Sequence, residues 1–271
     1  MNIAFSKYHG LANDFILIED RDHTITPKLT PERIVSLCDR HEGIGADGIL
    51  VRTPSGEAGH RMLLFNADGS PAEISGNGLR CFVLFLKERG YEVESDISIE
   101  TGGGVQHARF LGEDLVESTM PHPRFLPGGQ PELLDLRAKG VHFPVLPVNV
   151  GNPHGVIFGP ERDIVFAETY GPTLEKHPAF PEGANIEFVN VISPTACKLV
   201  VWERGAGITL ACGSGSTATA CAGAALGHFA FGKPIAIQQP GGTLRVTVSE
   251  NFSEVRQCGP AKFVFKGEIE L

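Results

Sequence analysis

The stretches Ile74-Ser75-Gly76-Asn77-Gly78-Leu79-Arg80-Cys81 and Ala211-Cys212-Gly213-Ser214-Gly215-Ser216-Thr217 decide the fold. Each places a small side chain bearing an O–H or S–H before Gly-x-Gly, and each is followed by a run that reads as a helix. They stand about half a chain length apart in a sequence of 271 residues. A single Gly-x-Gly turn carries little information, because glycine marks turns of many kinds. Two matched turns predict two matched half-structures, each aiming a reactive side chain and a helix N-terminus into a shared cleft. One turn carries a thiol and the other a hydroxyl.

Working outward, the helix expected over 79–89 is apolar almost all round and stops at Gly90, a C-terminal cap. The helix expected over 214–226 is built from Ala, Ser, Thr, Cys and Gly and stops at Gly227. A helix apolar on every side is buried, and small residues let surrounding backbone come close. Thr30 followed by Pro31 predicts a third helix running to about Arg40. Short β-branched and aromatic runs predict strands at 15–19, 48–52, 61–65, 97–101, 105–110, 115–120, 146–150, 156–158, 186–192, 198–203, 235–238, 243–248 and 262–265.

The expected class is therefore α/β (α+β), with two similar pseudo-symmetric domains. Each is a curved, mostly antiparallel sheet wrapped around a central helix. The Pro- and Gly-rich segment 120–131 reads as the linker. One lobe is expected to take 1–118 plus a C-terminal strand 259–271, the other 119–258, with the active site in the cleft between them. A weak internal symmetry sets Asn66, ending a strand in one half, against Asn185, beginning one in the other.

Composition narrows the partners. A net charge of -9 and a pI near 5.6 argue against nucleic acid or an anionic membrane as the main partner, since both reward a basic surface. The N-terminus has no basic head followed by an apolar core, so the expected location is cytoplasmic. The cysteines Cys38, Cys81, Cys197, Cys212, Cys221 and Cys258 include no Cys-x-x-Cys pair, which argues against zinc or a redox dithiol. Cys38, Cys81, Cys197 and Cys221 read as packing. Gly102-Gly103-Gly104 has no helix pattern after it, against a dinucleotide fold. Ser75 is not in Gly-x-Ser-x-Gly, against a hydrolase.

A side chain at a helix N-terminus feels the positive end of the macrodipole and unpaired N–H groups. For Cys212 this predicts a pKa lowered from about 8.5 toward neutrality and a usable thiolate base. Two such turns facing each other would grip one carboxylate and flank its α-carbon. That geometry suits proton removal from one face and return to the other: stereoinversion next to a carboxylate, with no metal and no pyridoxal cofactor. Glu203-Arg204-Gly205, just upstream of Cys212, supplies an acid for an ammonium group and a fork for a carboxylate.

Several blocks together resemble the diaminopimelate epimerase family. They are Lys7-Tyr8-His9-Gly10-Leu11-Ala12-Asn13-Asp14-Phe15, Arg40-His41-Glu42-Gly43-Ile44-Gly45-Ala46-Asp47-Gly48, Phe65-Asn66-Ala67-Asp68-Gly69-Ser70, Gly151-Asn152-Pro153-His154, Gly183-Ala184-Asn185-Ile186-Glu187-Phe188-Val189 and the two capped turns. The resemblance runs nearly end to end. It implies a homodimeric enzyme without cofactor that interconverts LL- and meso-2,6-diaminopimelate for lysine and cell-wall synthesis. By the same resemblance Cys212 is one catalytic thiol, and His154 and Glu203 tune the site. Asn13, Asn66, Asn152, Asn185, Glu203 and Arg204 bind substrate. The N–H groups of Gly76, Asn77, Gly213 and Ser214 hold the reacting carboxylate.

The sequence departs from the family at position 75, where the second catalytic cysteine is expected and serine stands. Serine nearly preserves shape but is far less acidic, and losing one acid/base group costs ~10²–10⁴ in rate. An engineered replacement and natural variation both leave this pattern. The frame also accommodates a racemase of another amino acid, a one-base dehydratase of the proline-racemase type, or a non-catalytic amino-acid-binding relative.

Overall fold

The computed structural model describes residues 1–270; Leu271, the last residue of the expected C-terminal strand, lies outside them. The chain divides into two compact units. The first holds Met1–Ser118 with the segment from Cys258 onward, and the second holds Thr119–Gln257.

The first unit runs β1 (Asn2–Gly10), β2 (Asn13–Glu19), α1 (Pro31–Cys38), β3 (Gly48–Thr53), β4 (His60–Asn66), β5 (Pro71–Ala72), α2 (Gly76–Glu88), β6 (Ile97–Thr101), β7 (Gly104–Gly112) and β8 (Leu115–Thr119). β1 pairs antiparallel with β2, and β2 lies parallel to β3. β3–β4 and β4–β5 are antiparallel, β4–β6 is parallel and β6–β7 antiparallel. α2 fills one side of this sheet. Its Phe82 and Phe85 are fully buried among Tyr8, Phe15, Leu17 and Leu50, each contributing roughly 1.5–3 kcal/mol. α1 covers the other face through Ile34 and Leu37, against Ile16, Ile18, Ile49 and Val51.

The second unit runs β9 (Arg124–Phe125), β10 (Leu134–Ala138), β11 (Val141–Asn149), β12 (Pro153–Phe158), α3 (Ile164–Glu175), β13 (Asn185–Ser193), β14 (Ala196–Glu203), β15 (Gly207–Ile208), α4 (Gly213–Ala225), β16 (Ile235–Gln239), β17 (Gly242–Val248) and most of β18 (Val255–Pro260). β19 (Lys262–Glu270) returns to the first unit and pairs antiparallel with β1. From β11 to β17 the pairing repeats that of β1 to β7 step for step: antiparallel, parallel, antiparallel, antiparallel, parallel, antiparallel. α4 takes the place of α2, and α3 that of α1.

The small residues of α4 have a packing reason. A Cβ on Gly223 would lie 2.2 Å from Phe229, so only glycine lets that ring close over the helix.

The α/β class with two similar, mostly antiparallel units is what the structure contains, each ladder having four antiparallel and two parallel pairs, but other details differ from what the sequence predicts. α3 was not among the expected helices, because Pro172 interrupts its pattern; the helix nevertheless starts on an Asp163 cap that accepts from Phe166 N at 2.8 Å. The Pro-rich 120–131 segment is not all linker: Arg124 and Phe125 pair with Asn149 and Val148. Finally, Asn66 is not the counterpart of Asn185. Asn66 ends β4 and Glu203 ends the equivalent β14, whereas Asn185 opens β13 as Gly48 opens β3.

Candidate active site

Ser75 is the N-cap of α2, with φ −136° and ψ 123°, and its Oγ accepts from Gly78 N at 3.1 Å. Cys212 is the N-cap of α4, with φ −117° and ψ 115°, and its Sγ accepts from Gly215 N at 3.3 Å. A small polar atom satisfying an N3 amide is the ordinary logic of a helix cap. It turns each nucleophile back over the first turn, beside N–H groups that have no intrahelical acceptor.

In the first unit Asn77 Nδ2 donates to Asn13 Oδ1 at 3.1 Å, so the start of β2 and the first turn of α2 are tied together. Asn13 in turn donates to Asp47 at 2.8 Å. An ion network holds that corner, with Lys7 to Asp14 at 2.6 Å and Arg40 to both Asp14 and Asp47 at 2.7 Å. Burial works against ionising Asp14, but Arg40 and Lys7 outweigh it and hold its carboxyl down at about 2. Asn66 is exposed, and its Nδ2 donates to Ser70 Oγ at 3.0 Å within its own turn. Arg80 is wholly buried and donates to the carbonyls of Gly76 and Pro260, a structural role.

In the second unit the candidates are more tightly joined. Asn152 Nδ2 donates to Ser214 Oγ at 3.4 Å, and that hydroxyl lies 3.5 Å from Cys212 Sγ. Asn152 Oδ1 lies 2.8 Å from His154 Nε2. Asn185 donates to Pro153 O at 3.3 Å and accepts from Arg204 N at 2.8 Å, which fixes the start of the Glu203–Arg204 turn. Arg204 is exposed and donates to Glu182 O at 3.0 Å; Glu203 accepts from the Thr209 hydroxyl. Gly213 O is held by Gln257 Nε2 at 2.7 Å, and Cys212 N by Gln239 Oε1 at 2.7 Å.

The expected low pKa of Cys212 is overturned. Burial pushes this thiol well up, the Glu203 carboxylate pushes it further, and Glu187 would add to the rise wherever it is ionised; the hydrogen bonds from Ser214 and Gly215 do not compensate. A helix terminus acts only over its first turn, whereas desolvation and a nearby anion act together on a buried sulfur. In the free protein the sulfur therefore keeps its proton.

Sequence reasoning passed over Glu187, which is fully buried and lies 2.7 Å from His154 Nδ1. Its signal was present: an acid between Ile186 and Phe188 in an apolar strand has to find a partner. Gln239 and Gln257, which hold the backbone of the Cys212 turn, gave no such local signal. Among the described residues no cluster of three or more His, Cys, Asp or Glu side chains is disposed to hold a metal ion, and no helix is long and apolar enough to cross a membrane.

These features define a class: a duplicated α/β fold with a small nucleophile capping the central helix of each half. The same fold is found in a phenazine biosynthesis protein of the PhzF family from Bacillus anthracis, with a TM-score of 0.72 and 16% identity over the whole of both chains. At that identity the likeness speaks for the fold alone. Sequence goes further. The family model described as diaminopimelate epimerase matches residues 5–126 and 146–264. A diaminopimelate epimerase of Nostoc punctiforme is 43% identical, covering 99% of this chain and 100% of that one, and one of Gloeothece citriformis is 41% identical over the full length of both. The chain belongs to the diaminopimelate epimerase family.

Proposed function

We propose that this chain is an amino-acid epimerase of LL- and meso-2,6-diaminopimelate, working without a cofactor and slowed by Ser75. The observation that carries the reading is the pair of like caps, Ser75 on α2 and Cys212 on α4, in a chain that matches diaminopimelate epimerases over 99–100% of its length. In the proposed reaction the substrate's α-carboxylate lies on the first-turn N–H groups of Gly76, Asn77, Gly213 and Ser214. Positions 75 and 212 face opposite sides of the α-carbon. One takes the α-proton, and its bonding pair remains on the α-carbon beside the carboxylate. The other delivers a proton to the opposite face.

The raised pKa of Cys212 gives the free protein a protonated sulfur. A substrate ammonium drawn toward Glu203 would offset that carboxylate and bring the thiol back within reach of ionisation. Asn13, Asn66, Asn152, Asn185 and Arg204 are the proposed contacts for the rest of the substrate, with His154 setting the polarity beside Cys212. Serine at 75 has too high a pKa to act as the second base, so inversion stalls while binding persists. A homodimer, a cytoplasmic location and a cleft between the two units as the place of binding belong to the same proposal.

The test is Ser75→Cys, assayed for LL-to-meso conversion. The expected gain is ~10²–10⁴-fold. An unchanged rate would sink the two-base reading. Ser75 itself favours one second reading, a one-base lyase, since elimination needs proton removal from a single face. A dehydrated product from a β-hydroxylated cyclic amino acid would establish it in place of epimerisation.

A further inference from the structure

The duplicated ladders allow each position of one unit to be matched to its counterpart in the other. In the first unit Phe15 pairs with Gly48, and Leu50 lies two residues further along β3. In the second unit His154 pairs with Asn185, and Glu187 lies two residues further along β13. The glycines of the capped turns report the same correspondence. A Cβ on Gly78 would meet Ser75 and Leu50, and one on Gly215 would meet Glu187 Oε1 and Cys212 Sγ. Beneath the serine cap the fold therefore places phenylalanine and leucine, and beneath the cysteine cap histidine and glutamate. Since the apolar pair fills the site, the buried polar pair is not required by the fold, and desolvating it is costly.

Proton counting gives the pair its state. Asn152 Nδ2 faces the Ser214 hydroxyl, so its Oδ1 faces His154 Nε2, and an amide oxygen can only accept. Nε2 therefore carries hydrogen. One more proton must lie between His154 Nδ1 and Glu187 Oε1, 2.7 Å apart. Glu187 Oε2 is buried with no hydrogen-bond partner, which suits the carbonyl oxygen of a carboxylic acid and not one end of a carboxylate. Burial also pushes the Glu187 pKa up, against the pull of His154 on β12, with Glu203 on β14 adding to the rise. The remaining titratable neighbour is the Cys212 thiol at the start of α4.

We propose that Glu187 is a positioning residue of this site: as a neutral acid it donates to His154 Nδ1, fixes the ring as the Nε2–H form, and so holds Asn152 with its NH₂ on Ser214 beside the Cys212 sulfur. This rests on the epimerase reading for its purpose, though not for its geometry. A freely turning imidazole or amide at this point would present the wrong group to the Ser214–Cys212 pair. A carboxylate would add a negative charge beside a sulfur that must ionise in turnover.

The first arm of the test is ¹⁵N NMR of the histidine-labelled chain, with His154 assigned by its absence from a His154→Phe, Glu187→Leu double variant. Expected is the neutral tautomer with Nε2 protonated and Nδ1 bare. A ring protonated on both nitrogens, or on Nδ1 alone, overturns the proposal. The second arm uses the Ser75→Cys background. Glu187→Gln, whose amide N–H replaces the acid's O–H, should keep kcat within about threefold. The double variant copies the first unit's packing; it should fold, yet lose roughly ten- to a hundredfold in kcat. A Gln variant as slow as the double variant, or a double variant at full rate, overturns the proposal. The NMR arm needs no turnover, so failure of the epimerase reading would show in the activity of Ser75→Cys while leaving the tautomer result intact.

Discussion

The turns at Ser75 and Cys212 share one backbone, one capping bond and one place in the pairing order, yet they sit in different surroundings. The serine is half-buried over a helix of large apolar residues, with Leu50 beneath it. The cysteine is buried over a helix of small ones, with Glu187 beneath it and Glu203 nearby. Duplication thus copied the scaffold that aims a side chain and left its environment free to diverge. The capping bond fixes where the nucleophile points; residues distant in sequence fix whether it holds a proton.

The comparison can be broken most sharply by exchanging the two caps. In a Ser75→Cys, Cys212→Ser chain the thiol passes to the apolar surroundings of the first unit. Solvent deuterium should then enter the α-position of one stereoisomer, and the parent chain should label the opposite one. The unfavoured isomer should exchange ~10²–10⁴-fold more slowly in each case. Labelling of the same isomer by both chains would show that the caps do not serve opposite faces.

A smaller effect separates the two glycines that follow the caps. In Gly215→Ala the new methyl would stand 2.9 Å from Glu187 Oε1, and in Gly78→Ala the nearest atom would be Ser75 Cβ at 3.2 Å. The first should cost about 2–3 kcal/mol in urea unfolding as overpacking. The second should cost under about 1 kcal/mol, because alanine's better helix propensity offsets part of the strain.

The smallest difference lies in the buried thiols of the two central helices. Burial pushes Cys81 on α2 and Cys221 on α4 up to about 12. In the unfolded chain each ionises near 8.5, so above that pH the unfolded state releases protons that the folded state retains, and stability falls as pH rises. Between about pH 9 and pH 10.5 each thiol contributes about 1.4 kcal/mol of loss per pH unit. Cys81→Ala and Cys221→Ala should each flatten the stability slope by that amount. A slope unchanged in one variant would show that its thiol reaches water in the folded state.

Much of the scaffold was legible because its signals are local. Thr30-Pro31 opened α1, the capped turns opened α2 and α4, and Gly90 and Gly227 take positive φ just past the ends of those helices. α3 was missed on local grounds, since Pro172 breaks its pattern, although the duplication that produced α1 between β2 and β3 called for a helix between β12 and β13 as well. Asn152 and His154 were marked by resemblance, and their bonds to Ser214 and Glu187 span 62 and 33 residues, beyond the reach of any pattern along the chain.

The sequence by itself determined two matched halves, a nucleophile at the head of each central helix, and the family to which the chain belongs, because caps, glycines and apolar runs act over a few residues. Only the tertiary structure decided which positions correspond between the halves. It also reversed the expected acidity of Cys212, since burial and the Glu203 carboxylate at the end of β14 outweigh the pull of a single helix end. Finally, it disclosed the partnership of Glu187 with His154, because strand register alone sets an acid on β13 against a ring on β12.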